Sequence, residues 1–391
     1  MTEQKEPISL SLGVLTIYLV LLPISAGLAG WIGSVSIQNY IAVLYCVIAL
    51  IGIIVSKRML FLNSIWLYAF WIYSILSMIW TPAFSFSWYY TTFLLNMAIF
   101  FIALQSEYGN RDRKVIETAV LLGMIPVILA TLFNLESVIK YRLIIKIFSE
   151  MDPNDFGCGL LLIVALCFSK LITGKTKWTV PILVTCAVII VLTGSRGAMV
   201  TFAATAIAWM LLSNMRKSFL IPLLVILLFF VLFIAFYDYI PEYLSDRLNF
   251  GKLLEDGGSG RLKIWKAALN SFLQASPIQM IFGAGYGSFK TTVHYIAVGH
   301  FDTYQSHNIW VNTLIENGAL GLLLLVMLFV NSFVISARRK NYWGILSLVG
   351  LAVAGCTLDM QAYRIFPIVF FIAISLKGEQ RDEPVAEEQQ K

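Results

Sequence analysis

ISLSLGVLTIYLVLLPISAGLAGWIGSVSIQNYIAVLYCVIALIGIIVS, residues 8–56, contains no charged side chain, and neither does the stretch from Met59 to Ser106. Each is long enough for two membrane spans of about 20 residues. The rest of the 391-residue chain agrees: 59% of it is hydrophobic and 13% charged, about half the charge of a typical soluble domain. The expected class is an all-α integral membrane protein of about twelve transmembrane helices. The spans are expected at 9–30, 35–55, 60–80, 86–105, 115–134, 156–172, 178–194, 197–213, 219–237, 308–336, 342–358 and 363–377. Turn signals stand at breaks between them, at Thr81-Pro82, Tyr108-Gly109-Asn110 and Asp152-Pro153-Asn154. The tenth run is too long for one straight span. His307 to Asn317 is amphiphilic and suits a helix at the membrane face, and Leu320 to Ile335 supply its buried part.

One large polar segment, 238–306, interrupts this membrane domain of residues 1–377; residues 378–391 read as a solvated, disordered, acidic cytoplasmic tail. Met1–Pro7 carries two acids and one lysine, and no small-residue cleavage pattern ends the first apolar run, which therefore reads as a retained helix. With the N-terminus inside, seventeen lysines and arginines fall on inner loops and tails and five on short outer loops (Lys140, Arg142, Lys146, Arg196 and Arg364). Both termini are then cytoplasmic, and the polar segment faces outward. The formal charge of +6 is absorbed by this orientation bias and gives no reason to expect nucleic acid. All five cysteines lie in apolar runs, which fits small, buried, inert thiols better than a disulfide framework or a metal site.

The chemistry is expected at the outer face. All three histidines, His294, His300 and His307, lie in or just after the polar segment. Within it, 257–276 reads as a helix opened by Gly-Gly-Ser-Gly, with Leu262, Trp265, Leu269 and Phe272 on one apolar face. Arg261, Lys263 and Lys266 cluster in its first turns, as suits a helix at an anionic membrane surface or one whose basic side chains snorkel from a packed core. Arg261 at the helix opening would suit a phosphate. Arg196, in Leu192-Thr193-Gly194-Ser195-Arg196-Gly197, falls between two apolar runs with almost no loop. An arginine there either snorkels to lipid phosphate or faces a partner or water-filled cavity. His307, with Asn308 beside it at the start of a helical run, is a candidate general base or a hydrogen-bonded structural residue. Gly283-Ala284-Gly285-Tyr286-Gly287 lacks the strand and helix of a nucleotide loop, so a turn or a close backbone contact is expected. Asp152-Pro153-Asn154-Asp155 reads as a helix cap. No pair of acids stands at metal-ligand spacing in the outer segment, so no metal or other cofactor is expected, and arginines would neutralise a phosphate leaving group.

Taken in order, these stretches resemble one family, the O-antigen ligase/polymerase-like membrane glycosyltransferases, over roughly residues 150–335. The motifs are Asp152-Pro153-Asn154-Asp155, the Leu192–Gly197 turn, Gly260-Arg261 with Trp265 running to Gly283–Phe289, and His307-Asn308 with Glu316-Asn317-Gly318 and Gly321. The resemblance implies metal-independent transfer of a glycan from an undecaprenyl-pyrophosphate-linked oligosaccharide donor to a glycan, lipid or lipid-linked acceptor hydroxyl, at the outer face of a bacterial inner membrane. It implies Arg196 and Arg261 on the pyrophosphate and His307 on the acceptor hydroxyl, with Arg247, Arg364, Asn308 and Ser195 as further substrate-binding candidates. Ligase and polymerase stay open. The competing classes are a transporter or flippase of lipid-linked oligosaccharide and a membrane anchor. Coupled transport usually needs acids buried in mid-membrane; the first four spans hold none, and Glu117 lies near an inner end.

Overall fold

The computed structural model describes residues 9–29, 36–55, 64–104, 108–174, 178–213, 260–293 and 305–378. Residues 238–259 and 294–304 of the 238–306 segment, the ninth expected span, Arg247, His294, His300 and residues 379–391 of the C-terminal tail lie outside these. Among the described residues every regular element is a helix, apart from one isolated bridge between Lys146 and Glu150. By length and composition, four of their helices can cross a membrane: Ile37–Val55, Asn110–Phe133, Pro153–Ile172 and Ile309–Arg338. Shorter apolar helices fill most of the other expected spans.

We number the helices α1 Leu10–Leu21, α2 Ile37–Val55, α3 Ile65–Leu76, α4 Phe84–Leu104, α5 Asn110–Leu122, α6 Met124–Phe133, α7 Glu136–Lys140, α8 Pro153–Gly159 and α9 Leu161–Ile172. They continue with α10 Thr179–Leu192, α11 Arg196–Leu212, α12 Arg261–Leu273, α13 Pro277–Phe282, α14 Phe289–Thr292, α15 Ile309–Arg338, α16 Tyr342–Ala354 and α17 Ile365–Ser375. Several are shorter than their expected spans. The first gives way at Leu22–Ile24 to a 3₁₀ turn containing Pro23, which has no N–H for a helical bond.

α9, α16 and α17 form the centre. Every residue from Ile365 to Ile374 is buried, and so is every residue from Leu161 to Ser169. A helix apolar on all sides is stable only when it is covered on all sides. Two glycines let the neighbours of α16 come close. A methyl group on Gly350 would meet Leu161 Cδ1 of α9 at 2.1 Å and Thr205 Oγ1 of α11 at 2.9 Å. One on Gly344 would meet Ser336 Oγ of α15 at 2.7 Å and the Ala373 Cα of α17 at 2.8 Å. Small residues at helix crossings are the usual basis of tight packing in membranes. Around this centre, α2, α6 and α15 leave Val43, Val47, Ile51, Leu129, Phe133, Leu323 and Val330 exposed, as a lipid-facing rim requires. Near the expected inner ends of α5 and α9, Glu117 accepts from Arg113 Nε at 2.7 Å and from Lys170 Nζ, forming a buried charge cluster.

α15 is not one straight rod. Gly318 has φ 68° and ψ −170°, a backbone conformation essentially reserved for glycine, and divides the helix where the sequence suggested. The break removes helical donors from the carbonyls just before it. Three find new partners: Ala284 N–H donates to Ile315 O (3.0 Å), Gly285 N–H to Glu316 O (2.8 Å), and the Tyr73 hydroxyl to Asn317 O (3.1 Å). The Glu316 carboxylate accepts the Phe289 N–H at 3.1 Å. The glycine-rich motif is therefore a backbone clasp around the break in α15, the close contact expected in place of a nucleotide loop.

Candidate active site

The site grows from helix N-termini that meet beside the 355–357 turn. At α8, Asp152 is the cap: its carboxylate accepts the Asn154 N–H at 2.7 Å and the Asn154 side-chain amide at 2.8 Å, and Pro153 takes the first helical position. Asn154 Oδ1 then accepts the Ser195 hydroxyl at 2.9 Å. That hydroxyl also accepts the Ala198 N–H at 3.2 Å, so Ser195 caps α11 and ties it to α8. Gly157 and Gly197 keep the junction tight. A Cβ on the first would lie 2.7 Å from that of Ala198, and one on the second 2.5 Å from Thr357 Oγ1. Arg196 is the first residue of α11 and half-buried.

At α15, Asn308 is the cap. Its Oδ1 accepts from Trp310 N–H (3.0 Å) and Val311 N–H (3.2 Å), while its amide donates to Cys356 O (3.3 Å). The Ile309 N–H donates to Gly355 O at 2.8 Å. Ser306 is held from the other side, its N–H by Asn312 Oδ1 and its hydroxyl by Asn308 O. Between these two fixed residues His307 takes φ 52°, a left-handed conformation unusual for a residue with a Cβ, and it is exposed. Among the described residues its ring has no hydrogen-bond partner. Ser195 and Asn308, both candidate substrate binders, thus spend their side chains holding the frame of the site.

Arg261 arrives on α12. Gly260, at φ 80°, opens that helix and carries no capping side chain. Trp265, one turn after Arg261, donates its indole N–H to Ser306 O at 2.9 Å, and this bond holds α12 against the His307 segment. Desolvation by the surrounding walls holds the His307 pKa below the usual histidine value; the nearby Arg261 charge lowers it further, and Asp152 acts in the opposite direction. Arg261 and Asp152 are therefore each within electrostatic reach of His307. The imidazole is tuned to be neutral, with a lone pair available, at neutral pH.

α12 runs Arg261–Leu273, shorter at its end than the expected 257–276; residues 257–259 lie outside the described residues. Its buried side is Ile264 and Ala268, backed by Trp265 and Phe272, whereas Leu262 and Leu269 are exposed. The expected apolar face thus splits, because Trp265 and Phe272 turn inward while the two leucines cover nothing. Lys263 and Lys266 are exposed beside those leucines. Cys356 is also exposed, unlike the other four cysteines, because α16 ends at Ala354 and leaves it in the turn.

Arg364 stands just before α17. Its Nε and Nη2 donate to Asn39 Oδ1 at 3.1 and 2.9 Å. With Asp155, Cys158 and Tyr363 it lines a small cavity of ≈ 40 Å³, where the Tyr363 hydroxyl donates to the Asp155 carboxylate at 2.6 Å. Asp152 and Asn154 read in the sequence as a helix cap and Trp265 as an apolar-face residue, all three within the motifs that carry the family resemblance; the contacts of Asn154 with Ser195 and of Trp265 with Ser306 come from tertiary structure. Among the described residues no three His, Cys, Asp or Glu side chains gather as a metal-ligand set.

No curated protein matches this chain. The family model described as O-Antigen ligase matches residues 181–326, a stretch that contains Arg196, Arg261, His307 and the break in α15 at Gly318. Together with the apolar helices, that match supports a multi-pass membrane protein similar to the O-antigen ligase family over residues 181–326, and that family implies a glycosyl-transfer enzyme of polysaccharide biosynthesis with lipid-linked glycan and acceptor partners.

Proposed function

We propose that the protein transfers a glycan from an undecaprenyl-pyrophosphate-linked donor to an acceptor hydroxyl at the outer face of the bacterial cytoplasmic membrane, with both termini cytoplasmic. One observation carries this reading: an exposed histidine, its pKa lowered by desolvation and the Arg261 charge, lies within electrostatic reach of an arginine that opens a helix, beside further helix N-termini. His307 takes the proton of the acceptor hydroxyl as its oxygen bonds to the anomeric carbon. The bond from that carbon to the phosphate oxygen breaks, and the diphosphate leaves with the electron pair. Arg196 and Arg261 hold the developing charge, supported by the positive ends of α11 and α12. No divalent ion is needed in this scheme, because two guanidinium groups supply the neutralising charge. Arg247, in residues outside those described, and Arg364 are secondary anion ligands in the same scheme.

The flippase reading finds no support in the one acid singled out for it. Glu117 is held between Arg113 and Lys170 in a buried ion-pair cluster. The reaction is tested with purified protein, a polyprenyl-pyrophosphate oligosaccharide and candidate acceptors; absence of released polyprenyl pyrophosphate with every acceptor would reject it. The surface glycan of a deletion strain identifies the acceptor class. Single-repeat chains mark a polymerase, and long chains stranded on carrier lipid mark a ligase.

A further inference from the structure

A cavity of ≈ 850 Å³ lies between the end of α3 and the helices α13 and α14. This is within the size range of ligand pockets, about 300–1,000 Å³. Three aromatic residues line it, Tyr73, Trp80 and Phe282, together with Gln279, Thr291 and Thr292, and among the described residues no charged side chain does. The aromatic wall is fixed in place. The Tyr73 hydroxyl shares its proton between Phe282 O at 2.8 Å and Asn317 O at 3.1 Å. Trp80, at the end of the 3₁₀ turn Ser77–Trp80, leans on Tyr73 with ring centroids 6.4 Å apart and planes tilted by 55°. Trp80 and Phe282 are still 42% and 43% exposed, and Gln279 and Thr291 are exposed beside them.

Flat apolar faces set among amide and hydroxyl groups, without charge, have the chemistry of a neutral saccharide site. The rings cover the C–H faces of sugars, and Gln279, Thr291 and Thr292 meet their hydroxyls. A phosphate or diphosphate head would call for a cation, and the described lining residues include none. The cavity is also tied to the helix that follows His307. Gly283 and Ala284 belong to its wall, and the Ala284 N–H donates to Ile315 O at 3.0 Å. The limb of α15 from Ile309 to Asn317 rises about 12 Å, so the wall is clasped at the opposite end of that limb from His307. We propose that this cavity is a saccharide subsite, holding neutral sugars of a glycan chain a short oligosaccharide's length from the bond formed at His307. The identification of the occupant as a substrate chain rests on the transfer reaction proposed above; saccharide binding itself does not. Trp80 and Gln279 are then binding residues with no part in proton transfer.

Binding of saccharide, which needs no turnover, is the test. Full-length protein in phosphatidylcholine nanodiscs is titrated with short oligosaccharides released by mild acid from the surface glycan of the bacterium that makes it. Saturation-transfer NMR then reports which sugar protons touch the protein. Binding is expected, with saturation strongest on ring C–H protons of neutral sugars. Trp80→Ala should weaken it by about tenfold, and Trp80→Phe, which keeps a ring, should retain most of it. Gln279→Ala should weaken it by about three- to tenfold, the loss of one hydrogen bond, and its exposed position keeps the test open if Trp80→Ala unfolds. His307→Asn should bind as the wild type does. In turnover, Trp80→Ala should raise KM and leave kcat nearly unchanged; a rise for the donor places the donor's chain in the cavity, and a rise for the acceptor places the acceptor's. No binding by the wild type, or binding indifferent to both Trp80→Ala and Gln279→Ala, would overturn the inference. So would labelling of Trp80 and Ile278 by a diazirine-bearing phosphatidylcholine that the oligosaccharide does not displace, which would mark the cavity as a lipid contact. Specific binding without transfer to any acceptor would overturn only the proposed reaction. Intact transfer with binding indifferent to the substitutions would overturn only this inference.

Discussion

Replacing Gly283 by alanine should damage the protein far more than the loss of one hydrogen atom implies. Gly283 has φ 80° and ψ 176°, a region that costs a residue with a Cβ about 1–3 kcal/mol. The added methyl would lie 2.2 Å from the Glu316 carbonyl oxygen, 2.5 Å from its carbon and 2.5 Å from Gly318 N. All three are backbone atoms, so no side chain can swing aside. Relief requires pulling 283–285 away from the break in α15, which loses the Ala284–Ile315 and Gly285–Glu316 bonds. Two buried carbonyls then go unsatisfied at about 1–3 kcal/mol each, and with the backbone term the penalty reaches at least about 3 kcal/mol. Gly174 is the control: its φ is 85°, but nothing lies within 4 Å of the position a Cβ would take, so only a cost of about 1–2 kcal/mol is expected. Thermal unfolding of both variants in detergent, followed by the monodisperse fraction, makes the comparison. Gly283→Ala melting within a degree or two of Gly174→Ala would refute the clasp and its seating of the helix that carries His307.

His307→Asn keeps a residue type that tolerates left-handed backbone, so it should fold with wild-type stability yet lose transfer by about 10²–10⁴-fold in a turnover assay. The pH–rate profile should carry an acidic limb below the usual histidine range, since transfer needs the neutral imidazole and its pKa is lowered. Removing the neighbouring positive charge in Arg261→Gln should move that limb to higher pH, and removing the negative charge in Asp152→Asn should move it to lower pH; same-direction shifts would contradict the assignment. Glu117→Ala leaves Arg113 and Lys170 buried without their shared anion, and a loss of about 3–5 kcal/mol should appear as early thermal unfolding.

The membrane character was written in the chain because charge-free runs such as 8–56 admit few other environments. The break in α15 was legible too, since a run from His307 to Ile335 exceeds one span and Gly318 stands inside it. The clasp was legible only in outline: the glycines announced a close contact, but nothing local could say that its partner lay thirty residues downstream. Side-chain direction was the hardest part to read. Leu262 and Leu269 share helical spacing with Trp265 and Phe272, yet which of them turn inward depends on where α15 lies. Asn308 and Ser195, attractive as polar groups beside Arg196 and His307, are the caps of α15 and α11, because the first N–H groups of those helices need acceptors. Asp152 entered as a cap within one of the family motifs, and its electrostatic reach to His307 is a product of folding.

The most direct measurement is release of polyprenyl pyrophosphate by purified protein given a polyprenyl-pyrophosphate oligosaccharide and an acceptor, with and without EDTA. The expected result is acceptor-dependent release by the wild type, undiminished by EDTA, and severe loss in both His307→Asn and Arg196→Lys, since an ammonium cannot replace the guanidinium fork. Transfer that persists in His307→Asn, or that EDTA abolishes and a divalent ion restores, would contradict a metal-independent reaction driven by histidine and arginines.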